Sequence, residues 1–534
     1  MKYTFLTTLA IALFFVSSCD DGIEKNNINP NNPEVVPAYT VFNSATVEYT
    51  DFMRNAFNTG RLTTPWLQYW GQTSYADEDR FLYRETTAEG IYRDTYRVGT
   101  DLKKVIELNT NEETRAAQAA FGNNENQIAA ARIMLAYIFH TLTDTFGDVP
   151  YYSYSSDDPT FQALKPEEFL SPVFADQQLI YQDLLKELRA ASDQLVTSES
   201  GFTSGDNIYD GDATKWKKFA NSLILRIANR LRATDAAAAN TAIDAAISAG
   251  VITSNEDNAV QAYDAADATA SPFWKSFIDR TDFGVTNTFI NILKGKNNDF
   301  GEDPRLFEMA APSAVDIKAV KENTYGLVQD AVSTNPDDYQ GLPYAFPLTQ
   351  QLAFTSYTFP SSKVLKPDYG EVLIEYAEVQ FIISERNGFS QAEYEEGVTA
   401  SMQKWGVDAA DVTAFVSNLP PANEANVLNQ KYVALYMQAH EAWAEYRRTG
   451  FPNLIVLPGE TITLDPNQVE DLITESDPNP SNTYIFEPRV DIDEMPQRLR
   501  YPQILQTLNE ANRSAAAQAL GGDVITSPFF WDVD

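Results

Sequence analysis

The stretch RIMLAYIFHTLTDTFGDVPY, residues 132–151, decides the fold class. With Ile128 before it, Arg132, Leu135, Phe139, Leu142 and Phe146 recur at spacings of three and four, which helical geometry places on one face. The spacing predicts an amphipathic helix. Gly147 follows the last stripe residue, where a left-handed cap without a Cβ is favoured. Pro150 then forbids a restart and pushes Val149 into an extended conformation.

Similar periodicity recurs on both sides. Pro37 suits the first turn of a helix running through Phe42, Val47 and Met53 to about residue 58, with Gly60 beyond it. Residues 92–108, 172–196 and 214–232 read as further helices, and Ala-rich 235–249 as a short antiparallel partner to the last of these. In 214–232 the apolar stripe is Trp216, Phe219, Leu223, Ile227 and Leu231; Arg226 and Arg230 share another face and are expected to pair outward. Between 250 and 367 the periodicity fails, and Gly, Asn, Asp, Pro and aromatic residues crowd together. A long irregular span inside a compact protein is usually a functional elaboration, so it is the candidate binding region. Helical spacing returns at 372–385, 391–405, 408–416 and 429–448, the last closed by Gly450 and Pro452.

Three of these helices carry specific motifs: DTFGDVPY at 144–151, KWKKFANSLILR at 215–226, and QKY, EAW and RRTGFP between 430 and 452, with RLRYP following at 498–502. Together they resemble the SusD/RagB-like nutrient-binding lipoproteins of the gram-negative outer membrane. The resemblance implies a mainly α fold, a tetratricopeptide-like scaffold of paired helices carrying an irregular, loop-rich binding region with little β structure. No strict repeat of about 34 residues stands out, so the repeats are implied by resemblance alone.

The first residues assign a compartment. Lys2, an apolar run from Phe5 to Val16 and the small pair Ser17–Ser18 form a secretory signal too short to span a bilayer as a mature helix. Val16-Ser17-Ser18-Cys19 matches the bacterial lipobox, and Cys19 is the only cysteine. The expected organisation is therefore a signal peptide over 1–18, a lipidated Asn/Pro-rich tether over 19–36, and one helical domain over 37–534. Acidic residues after Cys19 (Asp20, Asp21, Glu24) resemble the stretch that sends such lipoproteins to the cell exterior.

Composition fits a large globular protein, with 44% hydrophobic and 12% aromatic residues over 534 positions. A formal charge of −36, from 75 acidic against 39 basic side chains, opposes nucleic acid and other polyanions by repulsion. Catalytic chemistry is poorly supplied. His140 and His440 are the only histidines, both on predicted helices, and no G-x-S-x-G is present. Ala444 stands where a zincin would need its second His. Asp206, Asp210 and Asp212 could attract calcium, but Ile208 and Lys217 occupy two required EF-hand ligand positions; an ordinary turn is favoured, and no cofactor is expected.

Aromatic residues among polar ones supply the positive signal, because sugars stack C–H faces on flat rings and offer hydroxyls to the edges. Trp66, Tyr69, Trp70 and Tyr75, with Gln68 and Gln72 between them, form one such mixture. Trp274, Asn287 and Arg305, with Phe273 and Asn291, form a second. The function implied is a cell-surface lipoprotein that binds a nutrient oligosaccharide and delivers it to a SusC-like TonB-dependent outer-membrane barrel, without catalysis. A peptide ligand, as in RagB-like members, is the alternative, and a lipid-anchored glycosidase using Asp77, Glu78 or Asp79 is the third reading.

Overall fold

The computed structural model describes residues 36–278, 282–312, 333–347, 357–474 and 477–532; the signal peptide and Cys19 lie outside them. In chain order the main elements are α1 (Ala38–Met53), β1 (Trp70–Gln72), α2 (Glu85–Thr110), α3 (Asn124–Phe146), α4 (Gln177–Gln194), α5 (Ala213–Arg230) and α6 (Ala236–Ala249). There follow β2 (Ala259–Gln261), α7 (Pro272–Ile278), β3 (Phe283–Val285), α8 (Asn287–Leu293), β4 (Ala310–Ala311), β5 (Phe359–Pro360) and β6 (Glu371–Ile374). The chain continues through α9 (Tyr376–Arg386), α10 (Gln391–Trp405), α11 (Ala409–Ser417), α12 (Glu424–Ala434), α13 (Ala439–Thr449), β7 (Thr461–Thr463), β8 (Thr483–Ile485) and α14 (Glu510–Ala519).

Successive helices pack on one another from α1 to α6, and α9 packs on α10, α12 and α5. This is a tetratricopeptide-like paired-helix scaffold, mainly α. The described strands form only two-stranded antiparallel pairs, β1–β3, β2–β6, β4–β5 and β7–β8. Through them the segments after α6 are tied to distant parts of the chain.

Helix α3 departs from its predicted amphipathicity. Asn123 caps it by accepting the Asn126 N–H, and nearly every residue from Asn126 to Phe146 is buried, on all faces. A helix surrounded by α2, α4 and α5 has no solvent side, so its Ala residues at 129–131 serve close packing while its stripe serves the core. Two other boundaries also shift. Residues 371–374 are strand rather than helix, and the predicted helix over 429–448 breaks at 435–438, where Met437 has φ +73°.

The main surprise lies between α5 and α13. Arg226 and Arg230 point inward and are almost fully buried. Arg226 donates twice to the Glu378 carboxylate at 2.6 Å, and Arg230 reaches Glu441 at 2.8 Å, Glu445 and Asp144. Lys431 and Arg448 also bind Glu445, and Arg448 binds Glu385 at 2.7 Å. Burial would raise the Glu445 carboxyl, but Arg448, Lys431 and Arg230 outweigh it and hold the group well below the usual range. Charges removed from water must be paired, and here each helix supplies what its neighbour lacks.

Candidate functional site

The segment from Arg61 to Gln72 leaves the scaffold as a single helical turn at Thr63–Trp66 and returns as β1. Its aromatic residues fold back onto α12 and α13, contrary to the exposure expected of a stacking platform. Trp66 is fully buried edge-on against Trp443, and its indole N–H donates to the Glu78 carbonyl at 3.1 Å. Tyr69 stacks on Tyr432 with centroids 4.5 Å apart and donates to the Tyr432 carbonyl. Trp70 packs on Phe273 and Phe277 and donates to the Tyr436 hydroxyl at 2.8 Å. Gln68 and Gln72 are buried as well, bonded to Val456 and to Glu78 and Asp79.

The second mixture is also internal. Trp274 is buried with its neighbour Phe273. Asn287 accepts the Tyr344 N–H, and Arg305 is fully buried between Asp303, Ser401 and Gln430. The physical reason is common to both sets. A large ring removed from water on both faces contributes more than one half exposed, provided its N–H or O–H finds an acceptor, and most of these do. The arrangement thus corrects the expectation that Trp66, Tyr69, Trp70, Trp274 and Arg305 stand open to a ligand.

Tyr75 is the exception, 65% exposed and with φ +59°. It stands at the start of a turn in which the Asp77 N–H donates to the Tyr75 carbonyl and the Leu82 N–H to the Asp77 carbonyl. The turn is fastened underneath. The Asp79 carboxylate accepts the Gln72 N–H at 2.7 Å, burial pushes its pKa up to about 7, and the Tyr344 hydroxyl donates to the Asp79 carbonyl. Phe81 packs against Phe486, and the Arg489 N–H donates to the Arg80 carbonyl.

An exposed ion pair accompanies Tyr75, in which Asp77 meets Arg489 at 3.4 Å. The Thr73 N–H donates to the Asp282 carbonyl at 2.7 Å, Asp282 pairs with the buried Arg61, and the Arg61 guanidinium lies 4.9 Å from the ring centre of Phe57. Phe57 is itself 56% exposed. The chain from Phe57 to Tyr75 thus carries two exposed rings, tied together through Arg61, Asp282 and Thr73, with the exposed Asp77–Arg489 pair beside Tyr75; such a rim can offer flat faces to sugar C–H groups and polar edges to hydroxyls. Phe57 escaped sequence reading because it fell inside the helix expected to reach about residue 58, whereas α1 ends at Met53.

The remaining candidates are structural. Asp206 accepts N–H groups of Ile208, Tyr209 and Gly211 and the Trp216 indole, the pattern of a closed turn. Among the described residues no cluster of three or more metal-ligating side chains is found. His440 is half-buried beside Thr59 and Thr63, and desolvation lowers its pKa to about 3. Among the described residues no helix is long and apolar enough to cross a membrane.

Comparison with known proteins places this geometry. The model of the SusD-like family, described as starch-binding and associating with the outer membrane, matches residues 30–470. Among solved structures, a chitin-binding protein is similar at TM-score 0.68 and 23% identity, over 93% of this chain and 100% of its own. A Bacteroidetes SusD-like protein (AC2a) matches at TM-score 0.69 and 20% identity, over 93% and 100%. A chitin-binding SusD homologue from Flavobacterium johnsoniae matches at 0.65 and 19%, over 93% and 99%. No curated protein matches. The chain belongs to the SusD-like family.

Proposed function

We propose that this protein captures an oligosaccharide at the cell surface, on the rim around Tyr75 and Phe57, and passes it to a SusC-like TonB-dependent barrel while held to the outer membrane by lipid on Cys19. The observation that carries the reading is the family match over residues 30–470, a family described as starch-binding and outer-membrane-associated. Two structurally similar proteins described as chitin-binding support a glycan ligand. The rim supplies what such a ligand needs: an exposed ring at Tyr75 beside the half-exposed Asp77–Arg489 pair.

Binding without turnover is the accompanying expectation. Glu78 and Asp79 are buried and bonded to Gln72, so neither is presented to solvent as an acid or base next to Tyr75. The test is a binding screen of the chain from Asp20 onward against starch and chitin oligosaccharides and against peptides, with product analysis of every ligand that binds. Saturable glycan binding with intact ligand supports the reading. Cleavage of the glycan, or binding of peptides alone, contradicts it. Replacing Cys19 by Ala should release the protein from sedimented outer membranes; continued sedimentation in cells lacking the barrel would contradict the anchor.

A further inference from the structure

A second concave surface lies away from Tyr75, where β2 and β6 meet the end of α10. It is a cleft of about 540 Å³ lined by Asn255, Asn258, Lys363, Lys366, Tyr369, Lys404 and Trp405 along with small and aliphatic residues. In a chain with 75 acidic and 39 basic side chains, this wall presents three lysines and not one Asp or Glu among the described residues that form it. The sequence pattern gave no sign of it, because the lysines come from two segments 38 positions apart, brought together by the β2–β6 pair and α10.

Each lysine is positioned from behind. Lys363 donates to the Trp405 carbonyl at 2.8 Å and pairs with Glu308. Lys404 sits 2.5 Å from the buried Glu375 carboxylate, and Lys366 lies 3.6 Å from the exposed Asp368. None of these three counter-ions lines the cleft; Lys404 Nζ is buried against Glu375, so Lys363 and Lys366 are the lysines whose ends stay accessible from the opening. Trp405, only 4% exposed, forms part of the wall and keeps its indole N–H buried without a hydrogen-bond partner among the described residues. Lys363 and Lys366 remain 44% and 47% exposed, so a ligand carboxylate would compete with Glu308 and Asp368 for them.

We propose that this cleft binds an acidic saccharide through its carboxylate, with Lys366 and Lys363 as the charge partners and the Asn255, Asn258 and Tyr369 side chains beside the ring hydroxyls. Its volume suits one or two sugar rings, within the range of about 300 to 1,000 Å³ usual for small-ligand sites. The overall charge of −36 does not forbid this, because distant exposed charges are screened beyond about 8 Å at physiological salt while a contact pair is not. Net repulsion nevertheless limits the ligand to short oligomers rather than long polyanions. The site is independent of the Tyr75 rim and stands or falls separately from it.

Calorimetric titration of the chain with trigalacturonate, beside neutral galactotriose, tests this. The acid should bind at least about tenfold more tightly than the neutral trimer, a difference of about 1.4 kcal/mol, and the gap should narrow at high salt. Lys366→Glu should remove the preference, Lys366→Arg should keep it, and Tyr75→Ala should leave it intact. Circular dichroism melting of each variant keeps folding separate from binding. Equal affinity for the two trimers, an acid preference that survives Lys366→Glu, or its loss in a folded Tyr75→Ala protein would each overturn the proposal.

Discussion

The ion-paired seam between α5 and α13 and the rim around Tyr75 use the same residue types to opposite ends. In the seam, Arg230 is fully buried and meets Asp144, Glu441 and Glu445; at the rim, Arg489 and Asp77 pair at 3.4 Å with both side chains about half exposed. The seam's pairs have left water and must stay together, so they fix how the helices assemble. The Asp77–Arg489 pair keeps its water and can exchange it for ligand hydroxyls, whereas the Arg61–Asp282 pair is largely withdrawn from solvent. Charge type therefore says little about role; the side of the packed layer on which the charge falls says most.

The largest effect expected from this contrast is Arg230→Ala. Removing one partner of a buried pair commonly costs about 3 to 5 kcal/mol; here Asp144, Glu441 and Glu445 each lose a partner, though Glu445 keeps Lys431 and Arg448, so denaturant unfolding should show a loss within that range. Asp144→Ala should destabilise in the same sense without selectively weakening ligand affinity. A stability change under about 1 kcal/mol for Arg230→Ala would mean the seam relaxes or admits water.

Trp66→Ala comes next. It empties a site packed by Trp443, Phe81 and Tyr83, and large-to-small changes of an aromatic core residue cost about 3 to 5 kcal/mol. The folded fraction should bind ligand as the wild type does. Selective loss of binding at unchanged stability would return Trp66 to the site and dissolve the contrast.

A smaller, pH-dependent effect belongs to Glu371, fully enclosed beside Tyr369. Burial raises its carboxyl from 4.5 to about 8, so the folded chain holds this proton where the unfolded chain has lost it. The resulting stability is complete below about pH 4.5 and is lost as pH rises through about 8, at no more than about 1.4 kcal/mol per pH unit. Glu371→Gln should flatten that slope, most visibly in melting curves taken between about pH 5 and 8. An unaltered slope would place the titration elsewhere.

Much of the scaffold was legible because packed helices repeat their apolar residues at 3.6 and end in recognisable caps, as at Asn123 and Gly450. The break at 435–438 was hidden because apolar spacing continues across it while Met437 takes a positive φ without a glycine to mark it. The inward turn of Arg226 and Arg230 was hidden for another reason. Their partners, Glu378, Glu441 and Glu445, come from helices about 150 to 215 positions further on, which no local pattern encodes. At the site, the ten-residue mixture from Trp66 to Tyr75 was recognisable, but which ring faced out depended on Tyr432, Tyr436 and Trp443 covering the others. Only Tyr75, held at φ +59° beyond β1, escapes that cover.

In the proposed function, recognition rests on the exposed rim while the buried aromatics only build it. Titration calorimetry of Tyr75→Ala with whichever starch or chitin oligosaccharide binds the wild type tests this directly, with Tm measured on the same sample. Loss of one stacking platform is worth about 0.5 to 1.5 kcal/mol, so affinity should fall by up to about tenfold while Tm stays at the wild-type value. Wild-type affinity in Tyr75→Ala would contradict the claim and move the ligand off the rim.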